Sequence, residues 1–298
     1  MAVPAPGGAA VPAAAAGTWP LGELTVNRLG FGAMRLTGDR PFAAGRPSDR
    51  EQSLAVLRRA VELGVDHIDT AAFYFSALRS ANELINTALA PYPDDLVIVT
   101  KVGPGRDTWG QWQAGAGPGQ LRGQVEENLR QLGRDHLDVV NLRRMRQDSI
   151  ADHFGALADL RAAGLIRHLG VSDVSVSQLD EAQAIAPVVC VQNRFSLDDQ
   201  THQDVLTACR ERGIAFVPFF AIAGDRHSAG GPGTPSAGLA EVAARHGATP
   251  AQVRLAWTLH QGPNVLAIPG TGNPAHLDEN VAAAALHLSD EELALLSP

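Results

Sequence analysis

Short apolar runs alternate with longer amphipathic segments along the chain from about residue 28 onwards. Runs of this length between turn signals are typical of strands that are buried on both faces of a parallel sheet. The pattern therefore predicts an α/β fold with eight strands, at residues 29–33, 67–70, 96–101, 138–142, 168–171, 188–192, 215–219 and 265–269.

The amphipathic segments between these runs carry helix signals at their ends. Ser48 and Asp49 precede the first segment, as N-capping residues do, and a glycine follows four of the segments. Glycine is favoured there because helices often end in a left-handed residue. The segments predict helices at residues 49–63, 119–132, 150–163, 176–184 and 201–212, with Gly64, Gly133, Gly164 and Gly213 as stop signals.

Eight strand–helix units are compatible with an open doubly wound sheet or with a closed barrel. No stretch between residues 18 and 298 resembles a linker, which favours a single (β/α)8 TIM barrel of parallel strands over this range. Residues 1–17 (MAVPAPGGAAVPAAAAG) are of low complexity, without the basic start or the uninterrupted apolar run of a secretion signal. We expect them to form a disordered tail.

Composition narrows the classes of partner. The formal net charge is -8 and no long run of Lys or Arg occurs, which argues against nucleic acid as a partner. No long uninterrupted apolar window occurs, so no membrane span is expected. Cys190 and Cys209 lack metal-ligand spacing, and we expect buried thiols, no metal site and a cytoplasmic location. Without a heptad repeat or a large apolar stripe, a monomer is the default expectation.

Candidate chemistry lies at the predicted strand ends, where the active site of a barrel enzyme is found. Asp69 and Lys101 end neighbouring strands, and Tyr74 follows Asp69 closely. A phenol near its ordinary pKa of about 10 is a weak acid at neutral pH, but an adjacent ammonium lowers that pKa and a carboxylate keeps the ammonium charged. Each residue alone has an ordinary structural explanation, but the three together predict a general acid that protonates a developing alkoxide.

Five motifs extend this interpretation. They are GVDHIDTAAFY (64–74), VIVTK (97–101), GVSD (170–173), VQNRF (191–195) and IPGTGNPAHLDEN (268–280). In this order they resemble the motifs of the aldo-keto reductase superfamily over nearly the whole chain. The resemblance implies carbonyl reduction with an NADP(H)-type cofactor that lies extended across the barrel mouth. Gly30 and Gly32 lack the third glycine of a Rossmann fingerprint, which agrees with that mode of binding.

The resemblance also assigns roles residue by residue. It implies that Asp69, Tyr74 and Lys101 are catalytic residues. It implies cofactor contacts by a larger set: Ser172, Asp173 and Gln192 at the nicotinamide carboxamide, Phe219 stacked on the nicotinamide ring, and Thr271, Asn273, His276, Glu279 and Asn280 around the adenosine 2′-phosphate and adenine. The start of a helix near Ala275 suits a phosphate. Many family members have Lys and Arg at the positions of Gly270 and His276, and their absence here weakens the electrostatic grip on a 2′-phosphate. NADPH is still the expected cofactor, and NADH stays open.

Two positions depart from the family pattern. Asp173 stands where the family usually has asparagine, and Arg143 replaces the histidine that usually ends the fourth strand. Because arginine stays protonated, it can polarise a carbonyl oxygen but cannot shuttle a proton at neutral pH. We therefore expect Arg143 to orient the carbonyl group or an anionic substrate group. The sequence Asn141-Leu142-Arg143 is similar to a branch of bacterial pyridoxal reductases, which suggests pyridoxal or another aromatic aldehyde as the substrate.

Two loops are predicted to shape the substrate pocket. Residues 102–118 include Arg106, Trp109 and Trp112, which we expect to form a binding wall, and residues 223–238 are expected to fold over the cofactor. Two other functions stay open: a nicotinamide-binding sensor with weak turnover, and a non-redox biosynthetic enzyme on the same fold. The tuned phenol favours the reductase, because cofactor binding alone does not need it.

Overall fold

The structure, a computed structural model, describes residues 11–38, 46–107, 109–222 and 235–296. Its first strands form an antiparallel hairpin that was not predicted from the sequence, β1 (Thr18–Leu21) and β2 (Leu24–Asn27). Leu21 and Val26 of this hairpin are buried against the inner face of the barrel strands. The hairpin therefore closes the amino-terminal end of the barrel, and a ligand must enter from the other end.

Seven parallel strands form the main sheet of the described residues. They are β3 (Phe31–Gly32), β4 (His67–Asp69), β5 (Val97–Val102), β6 (Leu137–Arg143), β7 (Ile166–Ser172), β8 (Val188–Gln192) and β9 (Ala215–Phe216). The strands are neighbours in chain order, as expected for successive βα units. Each strand overlaps one of the first seven predicted runs, although β3 and β9 are shorter than predicted.

Two parallel bridges take the eighth position of the barrel in place of a full strand. Ala267 pairs with Leu29 next to β3, and Val265 pairs with Phe216 of β9. Backbone hydrogen bonds of 2.9 Å join both edges of this segment to the sheet. The predicted (β/α)8 barrel is thus confirmed, with its last strand reduced from residues 265–269 to a pair of bridges.

The glycine pair at β3 is explained by close packing inside the barrel. A Cβ at Gly30 would lie 2.2 Å from the ring of His67, and a Cβ at Gly32 would lie 2.6 Å from the carbonyl oxygen of Ile268. Both separations are far below van der Waals contact, so a side chain at Gly30 would displace the His67 ring and one at Gly32 would displace the backbone at Ile268. A packing requirement, rather than a dinucleotide-binding turn, accounts for these glycines.

Ten α-helices surround the barrel within the described ranges. They are α1 (Arg50–Glu62), α2 (Ala81–Leu89), α3 (Leu121–Leu132), α4 (Ala151–Ala162), α5 (Val176–Ile185), α6 (Gln203–Glu211), α7 (Ala237–His246), α8 (Pro250–His260), α9 (Pro274–Ala282) and α10 (Asp290–Leu296). The four predicted stop signals have left-handed φ angles of +81°, +64°, +80° and +66° at Gly64, Gly133, Gly164 and Gly213. Within these ranges no helix is both long enough and apolar enough to cross a membrane.

The low-complexity segment at the start of the chain is described only in part. Residues 1–10 lie outside the described residues, as do residues 223–234 of the loop that was expected to cover the cofactor. Ala13–Ala16 form a 3-10 helix, which differs from the disorder expected there. Ala13 is fully buried and its N–H donates to the carbonyl oxygen of Leu63 at 2.8 Å, so packing against the end of α1 orders this part.

Candidate active site

A cavity of about 2180 Å³ opens at the carboxyl ends of the barrel strands. It exceeds the roughly 300–1,000 Å³ of an ordinary ligand pocket, so it has room for two ligands together. Most of the predicted site residues line it: Asp69, Tyr74, Lys101, Trp112, Arg143, Ser172, Gln192, Phe219, Thr271, Asn273, His276, Glu279 and Asn280. Arg106, Trp109 and Asp173 are the predicted site residues that do not line it.

Asp69, Lys101 and Tyr74 are buried together at the centre of the site. Asp69 is the last residue of β4, and Lys101 lies one residue before the end of the paired strand β5. Lys101 Nζ donates to Asp69 Oδ1 at 2.5 Å and to the Thr70 carbonyl oxygen at 3.1 Å. Lys101 also forms a hydrogen bond with Tyr74, and its Nζ lies 5.0 Å from the centroid of that ring. The structure thus brings the three predicted residues together.

Burial dominates the acidity of the Tyr74 phenol. It raises the pKa of Tyr74 above the usual value, and the positive charge of Lys101 offsets this rise only in part. The lowering by Lys101 expected from the sequence is therefore present but is smaller than the effect of burial. Burial also lowers the pKa of Lys101, but the charge of Asp69 and the contact with Tyr74 together outweigh burial and raise it. At neutral pH the phenol keeps its proton and the ammonium keeps its charge.

Four buried polar residues behind β4 and β5 fix the backbone that carries this trio. Thr70 Oγ1 donates to Asn82 Oδ1 at 2.7 Å, and Thr100 Oγ1 donates to Asn128 Oδ1 at 2.6 Å. Asn82 Nδ2 joins the two pairs by donating to Asn128 Oδ1 at 3.0 Å. Because Thr70 and Thr100 adjoin residues of the trio, α2 and α3 hold both strand ends in place. No local sequence signal identifies these amides, since single Asn residues on amphipathic helices are common.

Ser172 and Gln192 end the adjacent strands β7 and β8 in register with each other. Gln192 Nε2 donates to Asp69 Oδ2 at 2.5 Å, so the amide oxygen of Gln192 is left as an acceptor. Ser172 Oγ and Gln192 Oε1 are both buried and have no hydrogen-bond partner within the described residues. Each such group costs about 1–3 kcal/mol if it stays unpaired. The pair therefore favours a ligand that offers both a donor and an acceptor.

Arg143 lies at the end of β6, on the wall of the same cavity. Its guanidinium Nη1 lies 2.9 Å from Asp173 Oδ2, and its Cζ lies 5.3 Å from the centroid of the Phe219 ring. Burial, assisted by the positive charges of Arg144 and Arg194, lowers the pKa of Arg143 to about 10. The guanidinium therefore remains charged at neutral pH and can act as a hydrogen-bond donor to an oxygen in the cavity.

The side chain of Asp173 contacts two arginines and does not line the cavity, unlike Ser172 and Gln192, the other residues predicted to hold the carboxamide. Its carboxylate lies 2.9 Å from Arg143 Nη1 and 3.9 Å from Arg144 Nη2. Its backbone is left-handed, with φ +61°, and its N–H donates to the Gln192 carbonyl oxygen at 2.9 Å. Charge explains the difference, because a carboxylate is attracted by two guanidinium groups and the amide of an asparagine is not.

Aromatic rings form the cavity wall next to the phenol. The Phe73 ring packs edge-on against Tyr74 with a centroid separation of 5.1 Å, and its centroid lies 5.9 Å from that of Trp112. Phe219 packs edge-on against Phe220 at 5.2 Å, and both rings line the cavity. Flat apolar surfaces of this kind are suited to planar ring systems.

Arg106 and Trp109 do not line the cavity. Arg106 Nη1 donates to the carbonyl oxygens of Phe73 and Phe75 at 3.2 and 2.6 Å, and its Nε donates to that of Gly110 at 2.9 Å. These hydrogen bonds connect the loop after β5 to the segment after β4. The side chain of Trp109 is 86% exposed. Of the binding wall predicted in this loop, the structure brings Trp112 to the cavity.

The opposite end of the cavity lies at the start of α9. Asn273 Oδ1 accepts a hydrogen bond from Ala275 N at 3.0 Å, and Thr271 Oγ1 accepts one from Asn273 N at 3.0 Å. Asn273 therefore caps the helix, as the sequence pattern Asn-Pro at its start allows, and Thr271 holds the backbone of this capping residue. His276 and Glu279, on the following turns of α9, line the same end of the cavity.

Two further residues at this end were missed by sequence analysis. Gln52 of α1 donates through Nε2 to the Gly272 carbonyl oxygen at 2.5 Å and lines the cavity. Arg254 of α8 also lines it, and its Nη1 lies 2.7 Å from Asp198 Oδ2. Arg254 lies on α8, which packs against α9, and its charge is paired with that of Asp198. Its position depends on the packing of two helices, which no local motif reveals.

Comparison with known proteins decides the family. The model of the Aldo/keto reductase family matches residues 28–297. The chain belongs to the aldo/keto reductase family. It is therefore an oxidoreductase, and the resemblance found in the sequence motifs is confirmed.

Individual relatives cover nearly all of this aldo-keto reductase. Pyridoxine 4-dehydrogenase of Escherichia coli (strain K12) is 46% identical over 288 residues, which span 94% of this chain and 96% of that protein. A solved structure of the thermostable aldo-keto reductase Tm1743 with the inhibitor epalrestat has a TM-score of 0.77 at 30% identity and covers 94% of this chain and 98% of its own. A Klebsiella pneumoniae aldo-keto reductase in complex with NADP and acetate has a TM-score of 0.74 at 28% identity, with 91% and 90% covered.

The residues of this aldo-keto reductase fit a nicotinamide cofactor. A carboxamide carries both a donor and an acceptor, and the buried Ser172 Oγ and Gln192 Oε1 offer the complementary pair. The size of the cavity leaves room for the rest of an extended dinucleotide between Phe219 and α9. Over the described ranges no group of three or more His, Cys, Asp or Glu side chains could hold a metal ion.

Proposed function

We propose that this aldo-keto reductase reduces an aldehyde or ketone to the alcohol, with NADPH as the reductant and Tyr74 as the proton donor. The observation that carries the proposal is the buried, hydrogen-bonded trio of Asp69, Lys101 and Tyr74 beside Ser172 and Gln192. When bound, the cofactor supplies a hydride to the carbonyl carbon. The chain itself must bind the carbonyl group, exclude water and deliver a proton to the carbonyl oxygen.

Tyr74 supplies that proton from its phenolic oxygen. Because burial raises the pKa of Tyr74, the phenol is protonated at neutral pH and can donate to the carbonyl oxygen. As the proton leaves, the nearby ammonium of Lys101 stabilises the phenolate that forms. Asp69 acts as a positioning residue, since its carboxylate holds Lys101 at 2.5 Å and keeps the ammonium charged.

Cofactor binding is divided between the two ends of the cavity. Ser172 Oγ and Gln192 Oε1 hold the carboxamide, and Phe219 provides a flat surface for the ring. The adenosine end is formed by Thr271, Asn273, His276, Glu279 and Asn280, joined by Gln52 and Arg254. A 2′-phosphate gains a charge-assisted contact from Arg254 that a free ribose hydroxyl does not, and this favours NADPH over NADH.

The substrate class follows from the walls near Tyr74 and from one relative. Phe73, Trp112 and Phe219 present aromatic faces to the cavity, and Arg143 presents a charged donor that can polarise a carbonyl oxygen. The Escherichia coli relative is named for its action on pyridoxine, whose aldehyde counterpart is pyridoxal. Pyridoxal or another aromatic aldehyde is therefore the candidate substrate of this chain.

Loss of NADPH absorbance with a panel of carbonyl compounds tests the proposal. Pyridoxal, benzaldehyde and a small aliphatic aldehyde are mixed with the purified protein, and the alcohol formed is measured against the NADPH consumed. Equal amounts of alcohol formed and NADPH consumed support the reductase. Tight binding of NADPH without turnover on any carbonyl compound would support the alternative of a nicotinamide-binding sensor. Conversion of a substrate without NADPH consumption would support the non-redox alternative.

A further inference from the structure

The guanidinium of Arg143 is held in place but keeps donor capacity for a ligand. Its Nη1 lies 2.9 Å from Asp173 Oδ2, yet this buried N–H group has no partner in hydrogen-bond geometry within the described residues. The ring of Phe219 lies against the guanidinium at 5.3 Å. Asp173 therefore holds Nη1 and offsets its charge, while the side chain as a whole is 28% exposed and lines the cavity, where a ligand oxygen can meet the rest of the guanidinium.

The surroundings of Arg143 are rich in positive charge. Arg144 and Arg194 are close enough for their charges to affect its ionisation, and Asp173 is the carboxylate that contacts both Arg143 and Arg144. Lys101, by contrast, is already neutralised by Asp69 at 2.5 Å. This end of the cavity therefore has more cationic than anionic groups, and an anionic ligand is stabilised there.

The reacting carbonyl group must lie close to the same guanidinium. Arg143 and the Tyr74 phenol interact electrostatically, and both side chains line the cavity. Phe73 and Trp112 line the cavity beside Tyr74, and conjugation keeps the carbonyl group of an aromatic aldehyde in the plane of its ring. An oxygen on the ring next to the carbonyl carbon then lies in the same plane as the carbonyl oxygen.

We propose that Arg143 makes this enzyme selective for aromatic aldehydes that carry an anionic oxygen on the ring position next to the carbonyl group. The parallel N–H groups of a guanidinium match two coplanar oxygens, whereas a neutral histidine offers one donor. Asp173 is the positioning residue, because its carboxylate holds the guanidinium of Arg143 in the orientation that binds the two oxygens. The inference rests on the carbonyl reduction proposed above, and it applies to pyridoxal because that aldehyde has a ring hydroxyl beside its carbonyl group.

A matched pair of substrates isolates this contact. The kcat/KM for 2-hydroxybenzaldehyde is divided by that for 2-methoxybenzaldehyde, at a pH where the hydroxyl is ionised, in the wild type and in three variants. Arg143→Met removes the charge, Arg143→Lys keeps the charge without the fork, and Arg146→Met removes an exposed cation from the rim of the same cavity. Intrinsic reactivity of the aldehydes cancels when the ratio is compared between variants.

The ratio is expected to fall about tenfold or more in Arg143→Met, as for the loss of a hydrogen bond to a charged group. Arg143→Lys should retain a smaller part of the preference, and Arg146→Met should retain all of it. An unchanged ratio in Arg143→Met, or a full preference in Arg143→Lys, would overturn the inference while leaving the reductase intact. A wild type that reduces other carbonyl compounds but not 2-hydroxybenzaldehyde would overturn the inference alone, and one that reduces no carbonyl compound would overturn the proposed function itself.

Binding measurements keep the test decisive if Arg143→Met or Arg143→Lys loses turnover. Calorimetric titration with 2-hydroxybenzaldehyde reports affinity without reduction when the variants, on the Tyr74→Phe background, are loaded with the oxidised cofactor NADP+. The affinity should fall about tenfold on adding Arg143→Met and stay unchanged on adding Arg146→Met. Equal affinity in both double variants would contradict a role for Arg143 in recognising the second oxygen.

Discussion

Gln192 donates from its Nε2 to Asp69 Oδ2 at 2.5 Å, while the other oxygen of Asp69 accepts from Lys101. One carboxylate thus links the residues assigned to the carboxamide with the residues assigned to proton transfer. Asp69 therefore positions both Lys101, beside the proposed proton donor, and Gln192, in the proposed carboxamide site. A change at Asp69 is expected to affect stability, cofactor binding and catalysis together.

Asp69→Asn is expected to lower the free energy of unfolding by about 3–5 kcal/mol, because it leaves the buried ammonium of Lys101 without its counter-charge. Denaturant titration measures the loss. Asp278→Asn breaks an exposed ion pair with Arg59 and serves as the control, with little expected change. Equal, small losses in both variants would contradict the described role of the buried pair.

Lys101→Met is expected to raise the pKa of Tyr74 further, since the charge of Lys101 is what opposes the effect of burial. Alcohol oxidation needs the phenolate as a base, so its rate should begin to rise only at higher pH than in the wild type. The pH profile of kcat/KM for oxidation measures this shift. Arg146→Met, which removes an exposed cation on the cavity rim, should leave the profile in place. An unchanged pH profile in Lys101→Met would show that Lys101 does not influence the pKa of Tyr74.

Asn128→Ala tests the buried amide network behind the trio. The change leaves the hydroxyl of Thr100 and the amide of Asn82 without a shared acceptor, and we expect a loss of about 2 kcal/mol or more in unfolding free energy. The value of kcat should also fall, because Thr100 adjoins Lys101. Arg122→Ala, exposed on the same helix, is the control that should change neither quantity. A fully stable and active Asn128→Ala enzyme would show that the network does not position Lys101.

Arg254→Leu tests the cofactor preference. Removing this cation should weaken NADPH binding by about tenfold, the typical worth of a charge-assisted hydrogen bond, and leave NADH binding nearly unchanged. Fluorescence titration with both cofactors measures the two dissociation constants. Loss of affinity for both cofactors in equal proportion would mean that Arg254 supports the fold of this end, through its contact with Asp198, and does not recognise the phosphate.

The barrel could be predicted from the sequence because its signals are local. The strands of a parallel sheet are continuous apolar runs, and Gly133 and Gly164 mark helix ends that the structure reproduces with left-handed φ angles. The hairpin of β1 and β2 was missed because its two short strands include Pro20 and show no long alternation. The eighth strand, predicted at residues 265–269, is reduced to two bridges in the structure. How many residues of this segment pair depends on the geometry of the two strands on either side of it, which the sequence does not reveal.

The positions of site residues could be predicted where the order of the strands determines which side chains meet. Properties that depend on burial or on packing between distant segments could not be predicted. Asp69 and Lys101 meet because their strands are neighbours in a parallel sheet. The net direction of the pKa shift of Tyr74 depends on how deeply the phenol is buried, which the sequence does not reveal. The ion pair of Asp173 with Arg143 depends on the left-handed turn after β7, and that conformation could not be read from the residue type.

Turnover of the Tyr74→Phe variant, measured beside its NADPH affinity, shows whether the Tyr74 phenol donates the proton to the carbonyl oxygen. The variant lacks the hydroxyl group and keeps the ring that packs against Phe73. The account predicts that kcat for reduction of an aromatic aldehyde falls by about 10²-fold or more, as for the loss of a general acid, while the dissociation constant of NADPH changes little. Retention of wild-type turnover by this variant would contradict the assignment of Tyr74 as the proton donor.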